Sequence, residues 1–251
     1  MELRDRIAIV GIGETEYLRR SRKDIKTLLL EAVEAALDDA RISPREVDGI
    51  ITEVSTMPRL FPHDELAYHL GISRRYSATV ANVPPPAHAC SPLTAAMAIE
   101  SGLADVVLYY FGVNWGSCPG GAYAFHELYP DKLSFEVPYG YWGQPPYFSA
   151  VARRYMDEYG LTSKQLGSIA VTQRRHALLN GRAQMRKPLT YEDYERSPLV
   201  VDPLRVLDCC LITDGAAAFV MCSAERAKDH PHPPVYVMGA GFASLPMGAS
   251  A

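Results

Sequence analysis

The sequence predicts an α/β fold built on a mostly parallel sheet, and three observations predict it. Short β-type runs alternate with one-sided helical patterns through the first 113 residues. The stretch 104–112 (ADVVLYYFG) is short and almost wholly apolar, as expected of a central strand covered on both faces. The helix ahead of it, at about 89–101, carries alanine, leucine, methionine and isoleucine nearly all round. Such a helix is expected to be enclosed rather than laid on a surface.

Residues 6–10 form a first β-run leading into Gly11-Ile12-Gly13. A glycine pair there invites a dinucleotide-loop reading. However, Glu16 stands where a third glycine is required, and 15–22 is polar and basic, so a structural turn is preferred to a phosphate cradle. Asp24 opens an amphipathic helix reaching Ala40. Ile25, Leu28, Leu29, Ala32, Val33, Ala36 and Leu37 line one face of it, and Glu31, Glu34, Asp38 and Asp39 another. A second strand at 47–54, a short helix at 64–70 stopped by Gly71, and a third strand at 76–80 continue the series. Gly102 closes the apolar helix.

From 114 to 147 the chain is rich in glycine, proline and aromatics without the charge of a disordered linker. It reads as an ordered excursion that covers a site or makes a subunit contact. Helices follow at 146–159 and, capped by Thr162 or Ser163, at 164–179. Arg174, Arg175 and His176 on the exposed side of the latter continue into Arg182, Arg186 and Lys187. This basic patch is either a solvated face, the preferred reading, or a receiver for the phosphates of a nucleotide tail. Thr190 with Asp193 resembles a helix cap. Residues 199–201 and Pro203 are expected to return to the sheet, Asp214-Gly215 to turn, and 216–222 to form a buried strand. Ser223 caps a short helix at 224–228, and 234–239 reads as a strand opening a new unit.

A net charge of −4 gives no reason to expect nucleic acid or an anionic membrane as partner. No apolar run approaches the ~20 residues of a membrane helix, and no signal-peptide pattern is present, so a cytoplasmic protein is the default. Five cysteines (Cys90, Cys118, Cys209, Cys210, Cys222) include no CxxC pair and fit no zinc spacing. Reduced thiols, mostly buried, are expected, and no metal site.

Five stretches together resemble the thiolase superfamily, most closely its lipid-transfer-protein branch of sterol-carrier-type thiolases and steroid side-chain aldolases. They are IAIVGIGETEY (7–17), SPLTAAMAIESGLADVVL (91–108), PYGYWGQPPYFSAVARRYMDEYGLTSKQLGSIAV (138–171), RAQMRKPLTYEDY (182–194) and DPLRVLDCCLITDGAAAFVMCSAERA (202–227). The resemblance implies a layered α-β-α-β-α fold of two similar halves with a loop domain inserted in the first. It also implies coenzyme A thioester substrates with no resident cofactor, a homodimer, and a partner of the OB-fold, zinc-ribbon kind. On this reading 1–113 is the first part of the N-terminal thiolase-like domain, 114–198 the inserted loop domain and 199–230 the last part of the N-terminal domain. Residues 231–251 then begin a truncated C-terminal domain, in whose missing part the main catalytic groups of the family are expected.

Aligned from Gly102, the acylated cysteine of a thiolase falls near Pro85, and a proline cannot be acylated. A non-acylating retro-aldol cleavage of a β-hydroxyacyl-CoA, in lipid or steroid side-chain breakdown, is therefore the expected function. Thiolysis by an acetyl-CoA acyltransferase and a non-catalytic acyl-CoA-binding subunit are the alternatives. His88 and Cys90, two apart at the helix start, are the catalytic candidates. Cys90 reads rather as a structural thiol. His88 lies where an imidazole is kept neutral and donates a hydrogen bond. Tyr141, Trp142 and Gln144 line the acyl tunnel or pack on a partner subunit, and Arg182 and Arg186 are the candidate phosphate contacts. Asp208 reads as a hydrogen-bonding anchor, Asp214 as a turn former, and His126 and His176 as surface residues.

Overall fold

A computed structural model describes residues 4–53, 61–80, 87–119 and 130–241, with the side chains of 87–90 outside the description. The described residues form two compact units: 4–16, 21–53, 61–80, 87–114 and 214–241 make the first, and 17–20, 115–119 and 130–213 the second.

The first unit is organised on a six-stranded sheet. Its strands are β1 (Ile7–Glu14), β2 (Gly49–Glu53), β3 (Tyr76–Val80), β4 (Val106–Asn114) and, after the second unit's residues, a long strand Asp214–Ser223 and a short one, Val235–Tyr236. In spatial order the sheet runs β3, β2, β4, Asp214–Ser223, β1, Val235–Tyr236. Only the pairings β3–β2 and β2–β4 are parallel; the remaining three pairings are antiparallel. The α/β class holds, but the sheet is mixed rather than mostly parallel. The strand Asp214–Ser223 enters from the far end of β4 and must run against it.

Helix α1 (Ile25–Ala40) has Asp24 as its N-cap, the carboxylate accepting from Thr27 N at 2.9 Å. Its predicted apolar face is buried with β1, β2, β4 and α2 (His63–Leu70) in one cluster on one side of the sheet. The glycines Gly11 and Gly13 lie inside β1, not in a turn, and nothing there cradles a phosphate. They serve the contact with α1: a Cβ on Gly11 would stand 2.5 Å from the Ala36 carbonyl oxygen, and one on Gly13 would stand 2.1 Å from that of Ala32.

On the other side of the sheet, α3 (Ala87–Glu100) packs Ala95, Ala96, Ala98 and Ile99 against Ile7, Ile51, Val107, Tyr109 and Met221. The expected full enclosure of α3 is not observed in the first unit, where Met97 is 43% exposed. At the amino ends of the parallel strands Asp48 ties three segments together. It accepts from Arg75 Nε and Nη2 at 2.8 and 2.6 Å and from the amides of Asp105 and Val106 at 2.9 Å.

The second unit contains the helices α4 (Pro130–Phe135), α5 (Pro145–Tyr159), α6 (Ser163–Leu179) and α7 (Tyr191–Arg196). Capping boxes at Thr162/Gln165 and Thr190/Asp193 start α6 and α7, and Gly160 ends α5 in the left-handed region. Part of the aromatic excursion is thus helical. Strands β5 (Leu199–Val201) and β6 (Leu204–Arg205) form a separate two-stranded sheet, so residues 199–201 do not rejoin the main one. Tyr194 is the fully buried centre of this region. Its ring lies on Gly167, its hydroxyl donates to Asp208 at 3.0 Å, and the Arg205 guanidinium stands 5.8 Å from the ring centre.

Asp208 is the anchor expected, accepting also from Arg205 N at 2.7 Å. Asp214 is not a turn former. It is buried at the start of its strand and accepts from Ser21 N and Oγ at 2.7 and 3.0 Å, which fastens the polar segment before α1. The predicted helix at 224–228 is a 3-10 turn, Arg226–Asp229, and the strand predicted at 234–239 pairs only at Val235–Tyr236. Of the four described cysteines, all unbridged, Cys222 alone is buried, which corrects the expectation of mostly buried thiols. Among the described residues no helix is long and apolar enough to cross a membrane, and no cluster of His, Cys, Asp and Glu could hold a metal ion.

Candidate functional site

The chain crosses from β2 to β3 through α2 on one face of the sheet, and from β3 to β4 through α3 on the other. Connections that leave on opposite faces open a crevice at the carboxyl ends of the strands, where α/β proteins place their sites. The amino-terminal turn of α3 begins there, with its N–H groups and positive dipole end.

Glu53, the last residue of β2, is fully buried at this end. It stands two residues from Ile51 and so faces the α3 side. Tyr109 is the register partner of Ile51 on β4. Its hydroxyl donates to Glu53 Oε1, and Ser91 Oγ, in α3, lies 3.4 Å from the same oxygen. The Tyr109 ring stacks on Phe219, centroids 4.5 Å apart at 22°. Burial first, and then the bond to Glu53, push the Tyr109 phenol far above its ordinary range, so it stays a protonated donor.

The opposite face of the same strand ends is also polar. Thr52 Oγ1 donates to the Tyr110 carbonyl at 2.9 Å, and the Tyr110 hydroxyl donates to the Phe61 carbonyl. His63, the first residue of α2, holds the Ala78 carbonyl through Nε2 at 2.8 Å, and burial lowers its pKa, favouring the neutral ring. On the α3 side, Tyr109, Glu53 and Ser91 thus form a buried, hydrogen-bonded group between the strand ends and the helix. A reacting carbonyl placed there would meet N–H donors above a buried carboxylate and phenol.

His88 and Cys90 both fall in the first turn of α3; their side chains lie outside the described residues, as does His126. The other candidates are in the second unit. Tyr141 is 37% and Trp142 54% exposed, and Tyr141 rests against Tyr147 with centroids 5.3 Å apart. Gln144 is the residue before α5, its carbonyl accepting from Tyr147 N at 3.2 Å. Arg182 and Arg186 are exposed on the turn after α6, Arg186 Nε donating to the Ala183 carbonyl at 2.9 Å. Arg174 reaches the Lys187 carbonyl at 2.9 Å, and His176 is exposed. Arg174 thus ties the last turns of α6 to the segment that carries Arg182, Arg186 and Lys187.

Glu53 and Tyr109 were not singled out from the sequence. The available signal was an acidic residue closing the apolar run GIITE, with a tyrosine pair inside VVLYYF. A charge at the end of a buried strand needs a buried partner.

No family profile matches the chain. It is 35% identical over 244 residues to a steroid side-chain-cleaving aldolase of Thermomonospora curvata, covering 94% of this chain and 62% of that one. It is 35% identical over 252 residues to a 17-hydroxy-3-oxo-4-pregnene-20-carboxyl-CoA lyase of Mycobacterium tuberculosis, covering 95% and 63%. Among solved structures it matches an Ltp2-ChsH2(DUF35) aldolase at a TM-score of 0.84 and 36% identity, covering 95% of this chain and 61% of that one. Human mitochondrial 3-ketoacyl-CoA thiolase matches at a TM-score of 0.65 and 17% identity, covering 93% and 68%, and shows the fold alone. The chain spans about three fifths of the length of the curated relatives it matches.

Proposed function

Because the chain belongs to the thiolase superfamily, in its sterol-carrier-type branch, we propose that it acts in retro-aldol cleavage of a β-hydroxyacyl-CoA during steroid side-chain breakdown. The observation that carries this reading is the 35% identity, along nearly the whole chain, to an aldolase and a lyase of steroid-derived substrates. In the reaction a base takes the β-hydroxyl proton, the carbon–carbon bond breaks, and a ketone and a thioester enolate result. The enolate is then protonated to the shortened acyl-CoA.

The start of α3 suits the thioester end, since N–H groups at a helix terminus stabilise an enolate oxygen. Pro85, near the expected position of the thiolase nucleophile, suits a reaction without an acyl-enzyme. Tyr141, Trp142 and Gln144 are the proposed acyl contacts, and Arg182 and Arg186 the proposed contacts of the coenzyme A phosphates. The substrate is a coenzyme A thioester, and no resident cofactor takes part. The working form is a cytoplasmic homodimer with a second, OB-fold and zinc-ribbon type of protein. In this form residues 231–251 open the second thiolase-like half, where further acid–base groups reside.

The test is incubation of the purified protein, alone and with co-purifying chains, with a β-hydroxyacyl-CoA bearing the hydroxyl on a ring carbon. Ketone and shortened acyl-CoA in equal amounts, without added coenzyme A, are expected. Product formed only from a β-ketoacyl-CoA plus free coenzyme A would instead establish thiolysis. Tight acyl-CoA binding with neither product would make the chain a binding subunit.

A further inference from the structure

Lysine is seldom found fully buried, yet Lys132, in α4, is only 3% exposed, the one lysine so placed among the described residues. Its ammonium stands 5.0 Å over the centre of the Tyr147 ring and 3.5 Å from the Gly143 carbonyl oxygen. The Tyr147 hydroxyl donates to the carboxylate of Glu136, one turn beyond Lys132. The Glu136 carbonyl in turn accepts from Tyr139 N at 3.0 Å and from Tyr141 N at 3.2 Å.

The loop between these ties turns through left-handed glycines, Gly140 at φ 89° and Gly143 at φ 66°. It is held at its first half by Glu136 and at its second by Lys132. Tyr141 lies against the ring that Lys132 covers, and Trp142, next in the chain, is exposed. An ammonium out of water on an aromatic face fixes that ring far more firmly than apolar contact would. Lys132 thus holds the Gly143 carbonyl and the ring against which Tyr141 rests, without facing solvent itself.

We infer that Lys132 is a positioning residue for the loop 140–144 and, through it, sets selectivity for bulky fused-ring acyl groups over short ones. Two exposed aromatic side chains on a fixed loop offer little to a two- or three-carbon acyl chain and much to a polycyclic one. This rests on the reading above that Tyr141 and Trp142 contact the acyl group.

The experiment uses the full chain with whatever chains co-purify, in Lys132→Met, Tyr147→Leu and Trp142→Ala forms. KM and kcat are measured with a fused-ring and with a short-chain β-hydroxyacyl-CoA, and direct binding of each thioester is followed by isothermal titration calorimetry. Lys132→Met and Tyr147→Leu are each expected to raise KM for the fused-ring thioester about tenfold, with kcat and the short-chain KM unchanged. Tyr147→Leu keeps the inference testable if Lys132→Met does not fold. An unchanged fused-ring KM in a folded variant, whatever the loss of thermal stability, would overturn it. If Trp142→Ala also leaves fused-ring binding unaltered, the acyl reading of the loop fails. If Trp142→Ala weakens binding and the other two do not, only the role of Lys132 fails.

Discussion

Gly13 on β1 lies so close to Ala32 on α1 that a methyl group on the glycine would stand 2.1 Å from the alanine's carbonyl oxygen. It would also meet Ala36 N at 2.4 Å. Both obstacles are helix backbone, which cannot swing aside as a side chain can. Gly13→Ala should therefore cost about 3 kcal/mol, the upper part of the overpacking range. Gly181→Ala, where a Cβ meets nothing within 4 Å, should cost almost nothing. Urea midpoints of the two variants check this.

Alkaline sensitivity follows from Cys222, whose thiol burial raises from 9.0 to about 11. A raised value means the folded state holds the proton more tightly. The contribution is complete below pH 9 and is lost as pH climbs from 9 to 11. Cys222→Ala should flatten the fall in stability over that window, as read from urea midpoints at pH 7 and 10.5. An identical fall in both proteins would contradict the assignment.

The second unit should depend on Gly167. A Cβ there would stand 2.5 Å from Cδ1 of the buried Tyr194 ring, and Tyr194 cannot retreat without releasing Asp208. Gly167→Ala should destabilise by about 2 kcal/mol. Tyr194→Phe, which loses only the hydroxyl, should cost about 1 kcal/mol. Thermal unfolding of each variant decides the ranking.

Replacing Arg182 and Arg186 together by alanine should weaken binding of an acyl-CoA about tenfold, the scale of a lost charge-assisted bond to phosphate. The melting temperature should not move, because both side chains are exposed. Isothermal titration with wild type and variant gives the comparison; equal affinities would remove the turn from the site.

Cys90→Ala should leave cleavage of a β-hydroxyacyl-CoA within about twofold of wild type, since the proposed reaction forms no acyl-enzyme. A folded but wholly inactive variant would restore cysteine-based acyl transfer.

Much of this was legible in local sequence. The period of Ile25, Leu28, Leu29, Ala32, Val33 and Ala36 wrote α1, and the unbroken apolar run at 106–110 marked a buried strand. What local pattern could not carry was direction and partnership. Nothing within 214–223 says that it runs against β4, because that is set by where the intervening hundred or so residues release the chain. The glycines of β1 looked like a turn because the helix that demands them lies some twenty residues further on. Glu53 escaped for a similar reason. Its meaning depends on Tyr109 and Ser91, which only the packing of α3 on the sheet brings to it.

Asn114, at the end of β4, is the register partner of Asp214, at the start of the next strand of the sheet. Residues 115–213 thus leave and re-enter the sheet at adjacent points, as the arms of a hairpin do. A two-residue turn could join those points with neither strand displaced. The intervening segment is in this sense a cassette: its sequence can be exchanged or lengthened without a change in the hydrogen-bond ladder between β4 and Asp214–Ser223.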